Sequence, residues 1–246
     1  MDINGNKKDN ADLLVVAHQI QAPLSAVKWT LSMLINGDAG KLSPEQFELA
    51  QKAQKSNGRA IRFIEDILSV NRLEYGENLD YSLVPIIDIV HDTIHELSSI
   101  AEEKKVKIVI NDFKSESPLI EIDKDKMRSA FENIFDNAIK YTPVNGTVTV
   151  SLVKEENDVL ISVDDSGIGI SEDDEQSLFK KFFRSEHAKD TGAAGTGLGL
   201  FIARTIIEKH GGKIWFEDKK RDLHLKQPGA RFSFTVPFKT HDDVVL

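Results

Sequence analysis

Leu13, Ala17, Ile20, Leu24, Val27, Leu31 and Leu34 follow one another at alternating spacings of four and three residues. That alternation keeps a narrow apolar stripe on one side of an α-helix, and such a stripe is the seam of a helix packed into a bundle. His18 falls beside the seam, so it should face outward. Pro23, one turn later, removes an amide donor and crowds the carbonyl four residues back, so it should kink or loosen the helix. The cluster Asn36-Gly37-Asp38-Ala39-Gly40 ends the pattern as a turn. Ser43-Pro44-Glu45-Gln46 restarts it: Ser43 can cap, Pro44 suits a first helical position, and Gln46 closes a capping box. The second helix carries Phe47, Ala50, Ile61, Ile64 and Leu68 and runs to about Leu73. Two helices with one apolar stripe each cannot enclose a core, whereas two such hairpins can pair into a four-helix bundle. The seam therefore predicts a homodimer through the helical hairpin.

After Glu74–Asp80, which reads as a linker, the periodicity changes. Val84 to Lys105 is expected to be helical, Val106 to Ile110 and Leu119 to Ile122 to be strands, and Asp123 to cap a helix ending at Tyr141. Thr147 to Lys154 and Val159 to Asp164 alternate as strands about a turn at Asn157-Asp158, and a helix starts at Ser171 with Asp174 as its capping partner. Thr196 to His210 reads as a helix, and Lys213 to Glu217 and Arg231 to Val236 as strands. The expected fold class is α+β: a helical hairpin over 10–75, a linker over 76–83, and an α/β sandwich over 84–240. The first nine residues are polar and expected to fray.

Composition excludes several classes. No apolar run approaches the ~18 residues of a membrane span, and no signal peptide is present. The absence of cysteine removes disulfides and thiolate metal sites. A cytoplasmic location fits best. The net charge of −9 argues against a nucleic-acid partner, because phosphate backbones are met by clustered Lys and Arg.

Four stretches carry chemistry. In "FENIFDNAIKYTP", Asn133, Asn137 and Lys140 share one helix face at i, i+4, i+7, where carboxamide oxygens can ligate Mg²⁺ and a lysine can meet phosphate; a solvated polar stripe is the plainer alternative. In "DDSGIGI", Asp165 precedes Gly167 and Gly169, an acceptor beside a backbone able to approach a flat ligand closely. An ordinary tight turn is the alternative, and a calcium loop lacks enough oxygen ligands at alternate positions. "FKKFFRS" supplies Phe179, Phe182, Phe183 and Arg184, either core residues or the anchors of a lid. In "GAAGTGLGL", glycines before a helix expose backbone N–H groups to an anion. A Walker loop needs Gly-Lys-Ser/Thr where Gly199-Leu200-Phe201 stands, and a dinucleotide fingerprint spaces its glycines differently. His91 and His95 sit at i, i+4, but with no third ligand they read as a solvated face with Asp92 and Glu96 rather than a zinc site.

The order of these stretches is specific. Residues 131–200 resemble the N, first glycine, phenylalanine and second glycine boxes of the sensor histidine kinases of two-component systems. "HQIQAPL" from His18 is similar to their histidine box, His-Glu/Asp-Leu-Arg-Thr/Asn-Pro-Leu. The resemblance covers about residues 10 to 238. It implies a dimerisation and histidine-phosphotransfer hairpin followed by an ATP-binding sandwich of the histidine kinase and gyrase type. By that resemblance His18 accepts the γ-phosphoryl group of ATP, Gln19 stands beside it, and Asn137 with Asn133 serves Mg²⁺. Lys140 and Tyr141 line the nucleotide, Asp165 accepts a hydrogen bond from the adenine amino group, and Gly167 and Gly169 let the backbone pass the ring. Gly195, Gly197 and Gly199 hinge a lid and meet the phosphates, Leu200 follows them, and Arg184 reaches phosphate. The partner implied is the receiver domain of a response regulator. No sensor domain precedes Leu13, so an upstream sensor is expected outside this chain.

Three positions depart from the family pattern. Gln19 replaces the usual acid; it can accept a hydrogen bond from the His18 ring but cannot take a proton. Gln21 replaces an arginine, which bears on partner docking. Ala22 replaces the Thr or Asn that orients a water for dephosphorylating the partner, so phosphatase activity is expected to be weak. Asn133 stands where gyrase-like ATPases place a water-activating Glu, and the adjacent Glu132 is turned about 100° away on a helix. Two other readings stay open on the sequence: a dimeric scaffold that binds ATP without transfer, and a plain ATPase.

Overall fold

The computed structural model describes residues 3–75, 78–111, 117–191, 195–218 and 229–238; the side chains of 3–15 and of His18 fall outside that description. The chain divides into two units, one Met1–Glu77 with Ala194–Thr196, the other Asn78–Ala193 with Gly197–Leu246.

The first unit is the helical hairpin α1 (Ile3–Asn36) and α2 (Pro44–Tyr75). The helix α1 begins at Ile3, inside the segment expected to fray, and continues through Pro23. Its end turns at Gly37 and Gly40, both at positive φ. The capping box forms as read: Ser43 Oγ accepts from Gln46 N at 3.3 Å, and Gln46 Oε1 accepts from Ser43 N at 2.9 Å. Ala17, Ala50, Ile61 and Leu68 are buried between the helices. Polar bridges support the pairing: Asn57 Nδ2 donates to Leu24 O at 2.9 Å, Gln54 Nε2 to Ser32 Oγ at 3.0 Å and Gln21 Nε2 to Glu65 Oε1 at 3.4 Å. Within one chain, part of the seam stays outside: Ile20 is 45% exposed and Val27 46%.

The second unit holds a five-stranded sheet in the order β2-β4-β5-β7-β6, from β2 (Lys107–Asn111), β4 (Thr147–Lys154), β5 (Asp158–Asp165), β6 (Ile214–Asp218) and β7 (Ala230–Pro237). Among the described strands only β2 and β4 run parallel, as a connection through an intervening helix allows. One sheet face is apolar, with Val148, Val150, Val159, Ile161, Val163, Phe232, Phe234 and Val236 buried. The helices α3 (Ile86–Glu103), α4 (Lys124–Tyr141) and α7 (Gly199–Lys209) lie together with α4 between the other two. The Phe131 ring of α4 meets the Phe234 ring of β7 at 5.2 Å between centroids. Asp123 caps α4 as expected, its carboxylate accepting from Lys126 N at 3.0 Å.

Some elements differ from the sequence reading. Tyr81–Pro85 forms a strand, β1, paired antiparallel with β3 (Leu119–Asp123), where a linker and the start of a helix were expected. Pro85 explains the shift: it ends the strand and becomes the N-cap of α3, which therefore starts at Ile86 rather than Val84. Ser171 bonds Asp174 at 2.6 Å, but the helix it precedes, α5 (Glu172–Glu175), is a single turn. A second short helix, α6 (Glu186–Asp190), is capped by Ser185, which accepts from Ala188 N. α7 begins at Gly199, not Thr196.

Candidate active site

The helix α4 presents Asn133, Asn137 and Lys140 as half-buried side chains, with Tyr141 at its last position. Asn133 Nδ2 donates to Ser129 O at 2.8 Å, which fixes the carboxamide on its own helix. Lys140 Nζ lies 4.9 Å from the centre of the Tyr141 ring.

Asp165 is the last residue of β5, buried at 5% exposure. Its Oδ1 accepts from Gly167 N at 2.8 Å and from Ala230 N at 3.1 Å. Two backbone donors on one carboxylate oxygen hold the group in a single orientation. The second donor exists because β7 runs antiparallel to β5 with Ala230 opposite Asp165. Gly229 makes that approach possible, since a Cβ there would sit 2.2 Å from Asp165 O. Sequence reasoning missed Gly229 and Ala230. The available signal was a glycine just ahead of an alternating strand, a common mark of close backbone approach.

Three glycines tie the motifs into one cradle. A Cβ on Gly167 would lie 2.6 Å from both Tyr141 O and Asp165 Oδ1, so the Asp165 turn presses against the end of α4. A Cβ on Gly199 would lie 2.6 Å from Asn133 Oδ1, so the first residue of α7 presses against the middle of α4. Gly197, at φ +73°, would place a Cβ 2.6 Å from the carbonyl carbon of Phe182, so the glycine loop rests on the phenylalanine loop. Phe182 is itself at φ 62°, and Gly169 at φ 72°; such backbone is strained for any residue with a Cβ.

Of the phenylalanines, Phe179 packs edge-on against Phe232 at 6.4 Å, whereas Phe182 is exposed. Arg184 and Leu200 are half-buried and Gly195 is exposed. Gly192, like the His18 side chain, lies outside the described residues. The helix α7 has no acidic residue in its first turn, so its positive end is not neutralised from within. Glu132 pairs with Arg128 at 3.4 Å, and Arg128 also pairs with Glu96. Burial, then Glu96, pushes the Glu132 carboxyl above its ordinary value. His91 and His95 are exposed with Asp92 and Glu96. Among the described residues no three His, Asp or Glu side chains group as a metal cluster, and no helix is long and apolar enough to cross a membrane.

Residues 13–76 match the family model of the His Kinase A (phospho-acceptor) domain, and residues 122–240 that of the histidine kinase-, DNA gyrase B- and HSP90-like ATPase. The chain is similar to the sensor histidine kinase WalK of Bacillus subtilis, 30% identical over 93% of this chain and 36% of that one. It is also similar to the adaptive-response sensory kinase SasA of Synechocystis, 30% identical over 94% of this chain and 62% of that one. It thus spans about a third to three fifths of the length of these relatives. Among solved structures, full-length ShkA in complex with AMPPNP matches with a TM-score of 0.73 at 26% identity, over 94% of this chain and 46% of that one. The histidine kinase AdeS of Acinetobacter baumannii, at 19% identity and a TM-score of 0.61 over 91% of this chain and 98% of that one, shares the fold. A phospho-acceptor hairpin and an ATPase sandwich, in this order and joined in one chain, mark the protein as a member of the sensor histidine kinases of two-component systems.

Proposed function

We propose that the chain is a cytoplasmic, ATP-dependent histidine autokinase that phosphorylates His18 and passes the group to an aspartate of a response-regulator receiver domain. The observation that carries this reading is the cradle: Gly167, Gly197 and Gly199 each permit a backbone approach that a Cβ would block, and together they join α4, the Asp165 turn and the N-terminus of α7. In this reading 10–75 is the dimerisation and phosphotransfer domain, 76–83 connects, and 84–240, preceded by β1, binds ATP. The AMPPNP held by ShkA supports ATP as the ligand.

Asp165, oriented by its two backbone donors, accepts from the adenine amino group while Gly167 and Gly169 flank the ring. Lys140, Tyr141 and Arg184 line the phosphate side, and Gly195, Gly197, Gly199 and Leu200 supply the loop and the positive helix end facing the phosphates. Asn137 and Asn133 fit Mg²⁺, because carboxamide oxygens on one helix face are hard donors. When bound, that ion screens the phosphate charge. Phosphoryl transfer needs chiefly placement and charge stabilisation, because its transition state is loose. The neutral His18 ring supplies the lone pair at pH near 7. Its nitrogen bonds to the γ-phosphorus as the bond to the β–γ bridging oxygen breaks, ADP departs, and the second ring nitrogen loses its proton to solvent. A receiver carboxylate then attacks the phosphorus and the imidazole leaves. Gln19 orients the ring by accepting its N–H. With Ala22 in place of a water-orienting side chain, the reverse dephosphorylation of the partner is weak. Asn133 carries no carboxylate, and Glu132 is engaged by Arg128, so a plain ATPase is disfavoured. The half-exposed Ile20 and Val27 support pairing of two hairpins into a dimer.

The test is incubation with γ-labelled ATP and Mg²⁺. Acid-labile, alkali-stable label that disappears in His18→Gln is the expected result. Label that persists in the variant refutes the phosphosite. Unlabelled protein with free phosphate released indicates an ATPase, and neither product indicates a scaffold.

A further inference from the structure

The last turn of α4 carries Lys140 and Tyr141, and its carbonyls end close to the Asp165 turn. A helix C-terminus leaves up to four carbonyls without intrahelical partners and carries a partial negative charge. That is an unfavourable neighbour for a polyphosphate. The cap residue deals with only one carbonyl, as Thr142 N and Thr142 Oγ1 both donate to Ala138 O. Ile139 O and Lys140 O are met from another helix. Lys104, the C-cap of α3, reaches across with its ammonium and donates to Ile139 O at 2.9 Å and to Lys140 O. Lys104 is half-buried, and α3 packs along α4. The backbone after Lys104 is bent for the purpose: Lys105 stands at φ 58°, with Lys105 N bonded to Glu102 O and Val106 N to Ala101 O. This closed turn fixes the stem from which the Lys104 side chain departs.

We propose that Lys104 is a positioning residue for the nucleotide: its ammonium fixes the last turn of α4 and offsets the negative helix end beside the phosphates. This role rests on the reading of Lys140 and Tyr141 as nucleotide-lining residues. Both hydrogen bonds of the Lys104 ammonium go to backbone carbonyls of α4, with the Asp136 carboxylate of the same helix as a charge partner, so it sets where Lys140 and Tyr141 stand and what charge lies behind them. A neutral isostere removes both effects, whereas arginine keeps the charge and the donors.

The experiment uses the full chain with Lys104→Met, Lys104→Gln and Lys104→Arg. Binding of a non-hydrolysable ATP analogue and of adenosine, the kcat and KM of autophosphorylation, and the melting temperature are measured. Expected for Lys104→Met is a loss of about fivefold or more in analogue affinity, a matching rise in KM with kcat nearly unchanged, and a smaller loss for adenosine, as an effect on binding rather than on the chemical step requires. Lys104→Arg restores both affinities to near the parent value. A lower melting temperature with unchanged KM overturns the proposal and leaves Lys104 a helix cap only. Equal losses for the analogue and adenosine also overturn it. If Lys104→Met fails to fold, Gln against Arg decides: weaker analogue binding for Gln supports the role, and equal binding refutes it. If the parent chain binds no nucleotide, the functional reading fails and this role falls with it.

Discussion

The hairpin and the α/β unit solve the same problem, burying apolar surface, with opposite degrees of self-sufficiency. In the α/β unit Ile86, Phe131, Ile134, Ile161 and Phe234 are wholly buried by elements of the same chain. In the hairpin no apolar side chain among the described residues is wholly buried: Ile61, Leu68, Val70 and Leu73 keep some exposure, and Val16, Ile20, Val27, Phe47 and Phe63 remain substantially exposed. A heptad seam on two helices has two sides, and one chain covers only one of them. The α/β unit is therefore expected to fold as a unit in its own right, while the hairpin depends on a second copy.

The largest test of that contrast is Val27→Glu combined with Ile20→Glu. Burying two carboxylates in a bundle core is strongly unfavourable. Sedimentation should report a dimer for the parent chain and a monomer for the variant, and the hairpin should melt at a much lower temperature. Nucleotide affinity, a property of the α/β unit, should change less than about twofold. A variant that stays dimeric would show that the exposed seam is not the interface.

The second test sets one cradle glycine against the exposed seam. Gly167→Ala drives a Cβ into Tyr141 O and Asp165 Oδ1, neither of which can swing away. Overpacking of this kind destabilises by about 1–3 kcal/mol. Analogue affinity should fall by about tenfold or more if the turn moves Asp165 by even a fraction of its bonding distance. Calorimetric titration of the variant, with sedimentation showing the dimer intact, checks both halves.

How far each region was legible follows from where its constraints lie. The hairpin's helices, its capping box and the Asp123 cap were readable because each depends on residues within one or two turns of one another. The Asn, Asp and glycine motifs were readable as local chemistry, and their order carried the family. What escaped was cross-chain geometry. Ala230 meets Asp165 across a separation of 65 residues only because β7 lies beside β5 in the sheet, and strand order is not written in sequence order. β1 escaped because Val84 continues the apolar pattern of the helix that follows, so Pro85 was absorbed into the helix instead of read as its boundary. The glycine loop was read as meeting phosphate, while the structure adds a packing reason for Gly197 and Gly199, whose neighbours come from Phe182 and Asn133.

A third test concerns the far end of the α/β unit, where His210 caps α7. Its Nδ1 donates to Ile206 O at 2.8 Å and its Nε2 accepts from Asp123 N at 3.1 Å, while Tyr81 meets the ring edge-on at 5.4 Å. This pattern requires a neutral imidazole. Burial lowers its pKa below the ordinary value, with Lys209 acting the same way and the Ile206 carbonyl and Asp123 opposing. Below pH ~6.5 the unfolded chain binds a proton at this histidine that the folded chain does not. Stability from this group is therefore complete above that pH and declines as pH falls through it. The melting temperature of the parent should drop between pH 7 and 5.5. In His210→Gln, which keeps a donor and an acceptor without titrating, the slope in that window should be shallower. An unchanged slope would assign the acid sensitivity elsewhere. His210 lies in the α/β unit, so the melting of that unit is where the effect is read.

The smallest test turns the same substitution, glycine to alanine, to the opposite sign. Gly58 lies inside α2 with nothing within 4 Å of where a Cβ would stand. A helical glycine costs about 1 kcal/mol against alanine, mainly through the freedom it has when unfolded. Gly58→Ala should therefore raise the melting temperature of the hairpin, by an amount corresponding to about 0.5–1 kcal/mol. It should leave nucleotide affinity untouched. Lys105→Gly in the other unit supplies the converse: Lys105 holds φ 58° at the end of α3, where glycine removes about 1 kcal/mol of backbone strain. The two substitutions stabilise by opposite changes of residue, because one site is α-helical and the other left-handed. Gly58 also probes the missing half of the hairpin. Its open space is open only within one chain, so a loss of stability there, with the dimer weakened, would place Gly58 against the second hairpin and locate the bundle contact on that side of α2.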